Sequence, residues 1–411
     1  MSCLVSVAVL APPARAERLT LEAIQALADE RSPRLSVVRA EVDLARAERV
    51  AASPSLPDNP VLEIAIGPRL SSEGTGLAVD ASLLQSVFVD GQRGRRLAAA
   101  DATVEVAEAA VVAARWALHA DLHHAFDRAV VARERVALER EVEGFQRRLS
   151  EVAKKKLAAG EIATLDARLS DLELVEARQR TLAAEAEYRV ACLQLGAISG
   201  WDRGGAPEPE GALASPPTVP LDALVAQALA REPERRVKLA AVELAKARLA
   251  AERSAGGVLP AFGVAFGHEG GAGPEPSVTT VQGVVSIPLP LSRSNQGGVA
   301  RARAELAVAE ADRDAHERLL VARLAELHSA HDAARERAAV LDADVVPRVG
   351  DNLALLERGY AVGEIELTET ILARERFVRA RLDALEALAS ALATRAELER
   401  LVGTDLEEVA R

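Results

Sequence analysis

Two pairs of histidines are the residues whose type and spacing are best suited to chemistry. His119 and His123 are spaced i,i+4, and His328 and His331 are spaced i,i+3. On a helix, either spacing places two imidazoles on one face, where they can bind a metal ion. No cysteine or third ligand accompanies either pair in the sequence. We therefore predict that these histidines pack or form polar surface, and that the protein has no metal site and no cofactor. Contact with a metal ion is the less favoured alternative.

Other chemical motifs are missing from the sequence. It has no nucleophile–base pairing, phosphate-binding glycine loop or carboxylate dyad in a recognisable context, so we predict that the protein is not an enzyme. The formal net charge is -12 and there is no block of Lys and Arg, which excludes nucleic acid as a partner. The two cysteines are Cys3 and Cys192, and the sequence gives Cys3 no lipoprotein-signal context.

The elements that must position these residues are long helices that end in two similar turns. Each turn is a Gly-Glu-Ile triplet between a long helical run and a shorter one, and glycine there allows one helix to stop and the next to return antiparallel. We interpret both as tips of helical hairpins. The first tip consists of Gly160, Glu161 and Ile162, and the second of Gly363, Glu364 and Ile365.

The chain repeats itself at an offset of about 200 residues. Leu21–Ala26 followed by Pro33 recurs as Leu221–Ala226 followed by Pro233, and the tip triplets recur as well. The predicted organisation is a signal peptide (1–16), a first repeat (17–200), a linker (201–218), a second repeat (219–403) and a C-terminal tail (404–411).

Each repeat has the same predicted order of elements: a helix, a pair of strands, a long helix, the tip and a second helix. In the first repeat the first helix is predicted over about 20–52, and Gly74–Gly76 is predicted as the loop between the two strands. Aromatic residues are only 2% of the chain, which favours long helices with thin packing seams over a thick core. The predicted fold is mainly α with a small β part. The long helices are predicted over about 92–159 and 297–361, with Pro347 bending the second, and the strands over 61–66, 77–89, 261–266 and 278–291.

Four strands per chain leave two interpretations open. They could form ordinary soluble hairpins on a coiled coil, or they could join strands of other copies, because four strands cannot close a barrel alone and open edges need partners. Two, three or four protomers would satisfy closure. No run of about 18 apolar residues is present, so no transmembrane helix is predicted.

Several motifs in order resemble the outer-membrane efflux (TolC-like) channels, closest to the branch that serves heavy-metal and drug pumps of the resistance-nodulation-division (RND) type. The motifs are the helix starts before Pro33 and Pro233, Asp90–Arg93, Ser286–Leu289 with Asn295–Gly297, and Arg358–Ile365. The resemblance covers about residues 18–403. It implies a homotrimer whose strands share a β-barrel in the outer membrane, among its lipids, above an α-helical coiled-coil barrel in the periplasm.

The resemblance also implies site residues. The residues of the periplasmic gate in such channels correspond to Tyr360 and Glu369 in this sequence. A second acidic gate position of the family corresponds to Leu372, which departs from the family pattern. The tips carry over as the docking surface for a periplasmic membrane-fusion adaptor bound to an inner-membrane RND pump. The function implied is a passive conduit that exports metal ions or drugs.

Purely structural roles for these residues, and another function for the whole protein, remain as alternatives. Glu369 could be a solvated helix carboxylate, and the tip glycines could serve only to turn the chain. For the whole protein, the alternative is a soluble periplasmic coiled-coil adaptor or structural protein of an export system. The doubling of the hairpin, with strands inside each copy, counts against that alternative.

Overall fold

The structure, a computed structural model, describes residues 17–72, 74–271, 276–292, 294–344 and 349–410. The predicted signal peptide with Cys3, and the predicted bend at Pro347, lie outside the described residues. Within them the chain is mainly helical with a small β part, as the sequence predicts.

The helices of the first half are those predicted, with one additional break. They are α1 (Leu21–Arg31), α2 (Pro33–Ala52), α3 (Gln92–Ala158) and α4 (Thr164–Ser199). The helices of the second half are α5 (Leu221–Arg231), α6 (Pro233–Ala255), α7 (Gln296–Asp344), α8 (Val349–Val362), α9 (Leu367–Val402) and α10 (Leu406–Val409).

The strands form two sheets in the described residues. The small one pairs β1 (Arg18–Leu19) in parallel with β4 (Glu208–Pro209). The larger one is antiparallel and has the order β2-β3-β5-β6. Its members are β2 (Val61–Ser71), β3 (Gly74–Ser86), β5 (Ala261–Glu269) and β6 (Val278–Ser286).

Three details differ from the sequence prediction. The single helical run expected over 20–52 is two helices, because Pro33 lacks an N–H and starts a new helix after Ser32. Gly74–Gly76, expected as a loop, belongs to β3 and pairs with Arg69–Ser71. Strands β3 and β6 end at Ser86 and Ser286, before the predicted ends at Val89 and Leu291.

The chain divides into two compact units. The helical unit comprises residues 1–37, 111–233 and 317–411, and the strand unit comprises residues 38–110 and 234–316. The strand unit takes one segment from each half of the sequence, and the helical unit takes the remaining segments of both halves. Both units are therefore built by the duplication that the sequence shows.

The helical unit has cores that repeat with the sequence. In the first half, α1 buries Ile24 and Ala28 against α3, and in the second half α5 buries Leu224 and Ala228 against α7 and α9. The end of each short helix is covered in the same way. Gly200 lies against the Arg31 carbonyl and Gly403 against the Arg231 carbonyl, where an added Cβ would collide.

The four-stranded sheet of the strand unit separates apolar from polar side chains. Strand pairing places one set of alternate residues on a common face, and its large apolar members are exposed. We call this the apolar face. Its apolar side chains are Leu62, Ile64, Ile66, Leu70, Leu77, Val79, Ala81, Leu83, Phe262, Val264, Phe266, Val281 and Val285, and the polar residues Gln85, His268 and Thr279 lie on the same face.

The opposite face of the sheet is composed mainly of small and polar residues. The same register places Glu63, Asp80, Ser82, Gln282 and Thr280 on it. Glycines and alanines of β5 lie between these polar side chains. We call this the polar face. Within the described part of the chain, no helix is both long and apolar enough to cross a membrane.

The close pairing of β5 with β3 generates a first prediction. A Cβ on Gly263 would overlap the Leu83 carbonyl oxygen, whereas a Cβ on Gly283 of β6 would meet nothing within 4 Å. We expect Gly263→Ala to destabilise the protein by about 1–3 kcal/mol through overpacking, and Gly283→Ala to have little effect. Thermal unfolding of the purified variants measures this. An unchanged Tm for Gly263→Ala would contradict the strand register.

Candidate functional site

The two Gly-Glu-Ile tips adopt the same backbone conformation. Gly160 and Gly363 have positive φ values of 77° and 80°, a conformation that favours glycine. In the first tip, the Glu161 N–H donates to the Lys156 carbonyl at 2.9 Å and the Gly160 N–H to the Leu157 carbonyl at 3.0 Å. This pair of hydrogen bonds is a Schellman motif, which satisfies the last carbonyls of α3.

The second tip repeats the motif at the end of α8. Its Glu364 N–H donates to the Gly359 carbonyl at 2.9 Å, and its Gly363 N–H donates to the Tyr360 carbonyl at 3.2 Å. The prediction that both triplets reverse the chain between two helices is confirmed. The side chains of Glu161 and Glu364 are exposed at these turns.

Lys156 joins the two tips. Its Nζ donates to the Tyr360 carbonyl at 2.6 Å and lies 4.9 Å from the centroid of the Tyr360 ring. The lysine is in the last turn of α3, where a cation also interacts favourably with the helix dipole. The contact therefore connects the end of α3 to the end of α8.

An apolar cluster lies beneath the tips. Tyr360 is 3% exposed in it, and burial raises the pKa of its hydroxyl. Ile162 and Ile365 of the two tips pack against the same cluster. The structure thus brings three of the predicted site residues together. The buried members of the cluster are Phe145, Leu149, Ala153, Leu353, Leu356, Tyr360, Leu367 and Ile371.

Gly359 is a tip residue for which the sequence reasoning gave no role. An ideal Cβ at this position would lie 2.6 Å from Cδ1 of Ile365. The isoleucine of the second tip therefore packs directly on the backbone of α8. The only sequence signal for this contact is a glycine in an otherwise helical run.

Glu369 and Leu372 lie apart from that cluster, on the surface of α9. Glu369 is in the first turn of the helix, where a carboxylate is stabilised by the helix dipole. Leu372 is 52% exposed, and its i,i+3 spacing places it beside Glu369. The two predicted gate residues of α9 share one exposed helical face, and Tyr360 is buried elsewhere.

A buried ion pair fixes α9 to α4 behind this face. Nη2 of Arg374 is 2.9 Å from Oε2 of Glu173, and the two side chains are 3% and 14% exposed. Nothing in the sequence around Arg374 distinguishes it from an exposed arginine on a helix surface. Loss of either partner would leave the other charge buried without compensation.

A second cluster in the helical unit is polar and contains the first histidine pair. Glu399 of α9, which is fully buried, accepts from Nε2 of His119 at 3.2 Å. The amide of Gln25 donates to Nδ1 of His119 at 3.2 Å and to Nε2 of His123 at 3.1 Å. The expectation that no third ligand accompanies this pair was wrong, because the fold brings a carboxylate to it from 280 residues away along the chain.

The surroundings of this cluster shift its protonation equilibria. Burial, together with His119, lowers the pKa of His123 to about 4. Burial alone would raise the pKa of Glu399, but hydrogen bonds and charge from His119 and Arg395 lower it to about 2. At neutral pH the cluster therefore contains a neutral imidazole of His123 and an ionised Glu399.

The second histidine pair is held by the backbone. Nε2 of His328 contacts the Val219 carbonyl at 2.8 Å. Nδ1 of His331 contacts the Ala391 carbonyl at 3.2 Å, and its Nε2 contacts the Pro217 carbonyl at the same distance. These histidines hold the segment before α5 against α7 and α9. For this pair, the prediction of packing is confirmed.

Comparisons with known proteins extend over nearly the whole chain. It is 24% identical over 392 residues to the cobalt-zinc-cadmium resistance protein CzcC of Cupriavidus metallidurans, covering 95% of this chain and 92% of that protein.

Solved structures share the fold at low sequence identity. CusC superposes with a TM-score of 0.76 at 14% identity, covering 96% of this chain and 95% of its own. The outer membrane protein VceC of Vibrio cholerae gives a TM-score of 0.73 at 15% identity, covering 94% and 96%. The Campylobacter jejuni CmeC outer membrane channel gives 0.73 at 13% identity, covering 95% and 89%.

A family profile matches the second half of the chain. The profile is that of the outer membrane efflux proteins and covers residues 224–404, which include the second tip, Glu369, Leu372 and Glu399. The matched family is one of efflux proteins and not of enzymes. Residues 224–404 of this chain are therefore similar to the outer membrane efflux protein family.

Proposed function

We propose that the protein is the outer-membrane channel of a tripartite efflux system, a passive conduit that extends from the outer membrane into the periplasm. The observation that carries this proposal is the exposed apolar face of the four-stranded sheet. Strands that span an outer membrane alternate apolar residues toward lipid with polar residues toward the interior. The sheet has this division across all four strands.

Contact of the apolar face with lipid would explain why large apolar side chains are exposed on it. Ile66 and Val281, on the two edge strands, are 68% and 74% exposed. A contiguous exposed apolar surface of this kind marks contact with a membrane or a partner. A soluble adaptor, the alternative function, would leave it in water.

We further propose that the channel is a homotrimer with a closed sheet of twelve strands. Strands β2 and β6 are the edges of the sheet, and each has one pairing neighbour among the described strands. Open edges of this length invite pairing with another chain. Pairing β2 of one copy with β6 of the next would give every strand two neighbours.

An exposed stripe on α4 supports association of the helices as well. Leu165, Leu172, Val175 and Leu182 are all more than half exposed. They are separated by seven, three and seven residues, the spacing of a coiled-coil seam. This seam would pack against a second copy of the chain.

The two tips would dock a periplasmic membrane-fusion adaptor bound to an inner-membrane RND pump. Lys156 and the shared apolar cluster connect the two tips, and each tip exposes one carboxylate, Glu161 or Glu364. Gly160, Ile162, Gly363 and Ile365 shape this surface. The cargo we propose is divalent metal ions, by analogy with the relative named for cobalt, zinc and cadmium resistance.

We place the periplasmic gate on α9, with Tyr360 as its support. Three copies of Glu369 would form a ring of carboxylates, with Leu372 as an apolar ring one turn further along. Tyr360 would act from within the apolar cluster, since its ring is buried. The gate would then combine an apolar seal with one cation-binding ring.

The membrane assignment predicts opposite effects for neighbouring residues of β5. Val264 is on the apolar face and Ala265 is on the polar face. We expect Val264→Arg to cost about 2–4 kcal/mol if its side chain meets the bilayer centre, and therefore to reduce the amount of protein in the outer-membrane fraction. Ala265→Arg should be tolerated. Equal recovery of both variants would refute the orientation of the sheet.

The gate assignment predicts a loss of cation block. Glu369→Ala removes the proposed ring, so divalent cations should block the single-channel conductance in planar bilayers less strongly. Glu386→Ala is the control, because Glu386 is an exposed carboxylate further along the same helix. If Glu369→Ala leaves the block unchanged, Glu369 does not belong to the gate.

The docking assignment predicts a defect confined to efflux. Glu364→Lys reverses an exposed charge at the tip without altering Gly363, so the oligomer should still form in the outer membrane. We expect this variant to fail to restore cobalt, zinc and cadmium tolerance to a strain that lacks the native protein. Glu386→Lys should restore it. Full restoration by Glu364→Lys would show that the tip charge is not recognised by the partner.

A further inference from the structure

The first histidine pair and Glu399 form a compact set of metal-ligating atoms. One ligand atom from each of His119, His123 and Glu399 lies within 4.8 Å of the others. Within this set, Nε2 of His119 and Oε2 of Glu399 are 3.2 Å apart. Bonds of about 2.0–2.1 Å to a tetrahedral ion place two ligands roughly 3.3 Å apart, so this pair already has the required separation.

We infer that His119, His123 and Glu399 form a binding site for a divalent transition-metal ion. Two imidazoles and one carboxylate suit Zn²⁺ and its neighbours Co²⁺, Ni²⁺ and Cu²⁺ better than Mg²⁺ or Ca²⁺, which prefer oxygen ligands. Asp405 is available as a fourth ligand, because its Oδ1 is 3.7 Å from Nε2 of His119. The site lies entirely in the helical unit and joins α3 to α9.

The groups around the site orient its ligands. Oε1 of Glu399 accepts from Nε of Arg395 at 2.9 Å and from the Leu406 N–H at 3.1 Å, which leaves Oε2 directed at His119. Ligating carboxylates and histidines in metal sites are held by such outer hydrogen bonds. If Glu399 served only to form an ion pair with Arg395, His119 and His123 would not be needed beside it.

Gln25 of α1 contacts both imidazoles. Its amide nitrogen contacts Nδ1 of His119 and Nε2 of His123. A half rotation of the amide exchanges its NH₂ group for its oxygen. The same side chain can therefore support His119 with the proton on Nε2 or, when a metal ion takes Nε2, with the proton on Nδ1.

A cleft gives access to the site from the surface. It has a volume of about 360 Å³ and is lined by residues that include Gln25, Asp29, Trp116 and His119. His119 is thus the ligand nearest to solvent, and His123 and Glu399 are the buried ones. An ion entering by the cleft would meet His119 first and then the buried pair.

The second repeat has no counterpart of this site among the described residues. His328 and His331 contact backbone carbonyls of Val219, Pro217 and Ala391. Asp332 lies 3.5 Å from Nδ1 of His328, but within the described residues no group of three ligand atoms forms around this pair. This difference provides a matched control. His328 is a partly buried histidine in the corresponding long helix, and its replacement should leave metal binding unchanged.

Binding would act on stability and not on transport chemistry. An ion held by the folded chain and not by the unfolded chain raises Tm in a concentration-dependent way. The inference does not rest on the proposed conduit function, because the site is away from the tips and uses none of the gate residues. If the metal site is disproved, the proposed conduit function is unaffected, and if the conduit function is disproved, the metal site is unaffected.

The test uses the full-length protein in detergent, without a histidine tag and stripped of metal with a chelator. Calorimetric titration with Zn²⁺ and Co²⁺ should show one ion per chain. His119→Asn and His123→Asn should each weaken binding by about 10-fold or more, the size of effect known for groups that support metal ligands, and His328→Asn should not. A wild-type chain that binds neither ion, or His119→Asn with unchanged affinity, would overturn the inference.

A cysteine exchange tests direct ligation. His119→Cys replaces the imidazole by a thiolate, so its Co²⁺ complex should gain a near-ultraviolet sulfur-to-cobalt charge-transfer band. His328→Cys carries the same native cysteines as His119→Cys and should show no such band. A folded His119→Cys protein without the band would exclude His119 as a ligand, and the wild-type titration decides the matter if this variant does not fold.

Discussion

The structure depends on a sheet that is incomplete within one chain. Four strands have two open edges and expose a set of large apolar side chains on one face. Water disfavours both features, since unpaired backbone groups and apolar area each cost free energy. Lipid on one face and neighbouring copies at the edges would remove both costs together.

Duplication gives the helical unit its order. The caps at Pro33 and Pro233, the cores around Ile24 and Leu224, and the closing glycines at 200 and 403 recur in both halves. The two tips recur as well, with the same hydrogen bonds. Against this background the polar cluster around Glu399 stands out, because the other half has packing histidines at the corresponding place.

Much of the fold could be predicted from the sequence because it is encoded locally. The tips are specified by a glycine that must adopt positive φ, and the strands by short apolar runs between turn residues. The break before Pro33 was also encoded, since proline favours the first turn of a helix. By contrast, Gly74–Gly76 was misassigned to a loop because pairing in the sheet outweighed the low strand propensity of glycine.

The rest of the site depends on contacts between distant segments. Nothing near His119 in the sequence indicates that Glu399 would reach it, and nothing near Gly359 shows that Ile365 folds back onto it. The burial of Arg374 against Glu173 has the same origin. Periodicity assigns residues to helix faces, but it does not say which faces meet.

We propose that several copies of this chain complete one sheet in the outer membrane. Electrophoresis of the outer-membrane fraction, with and without heating, tests this association. We expect a band at three times the chain mass that converts to the monomer on heating. A monomer in both lanes, with the protein recovered in the soluble periplasmic fraction, would contradict it.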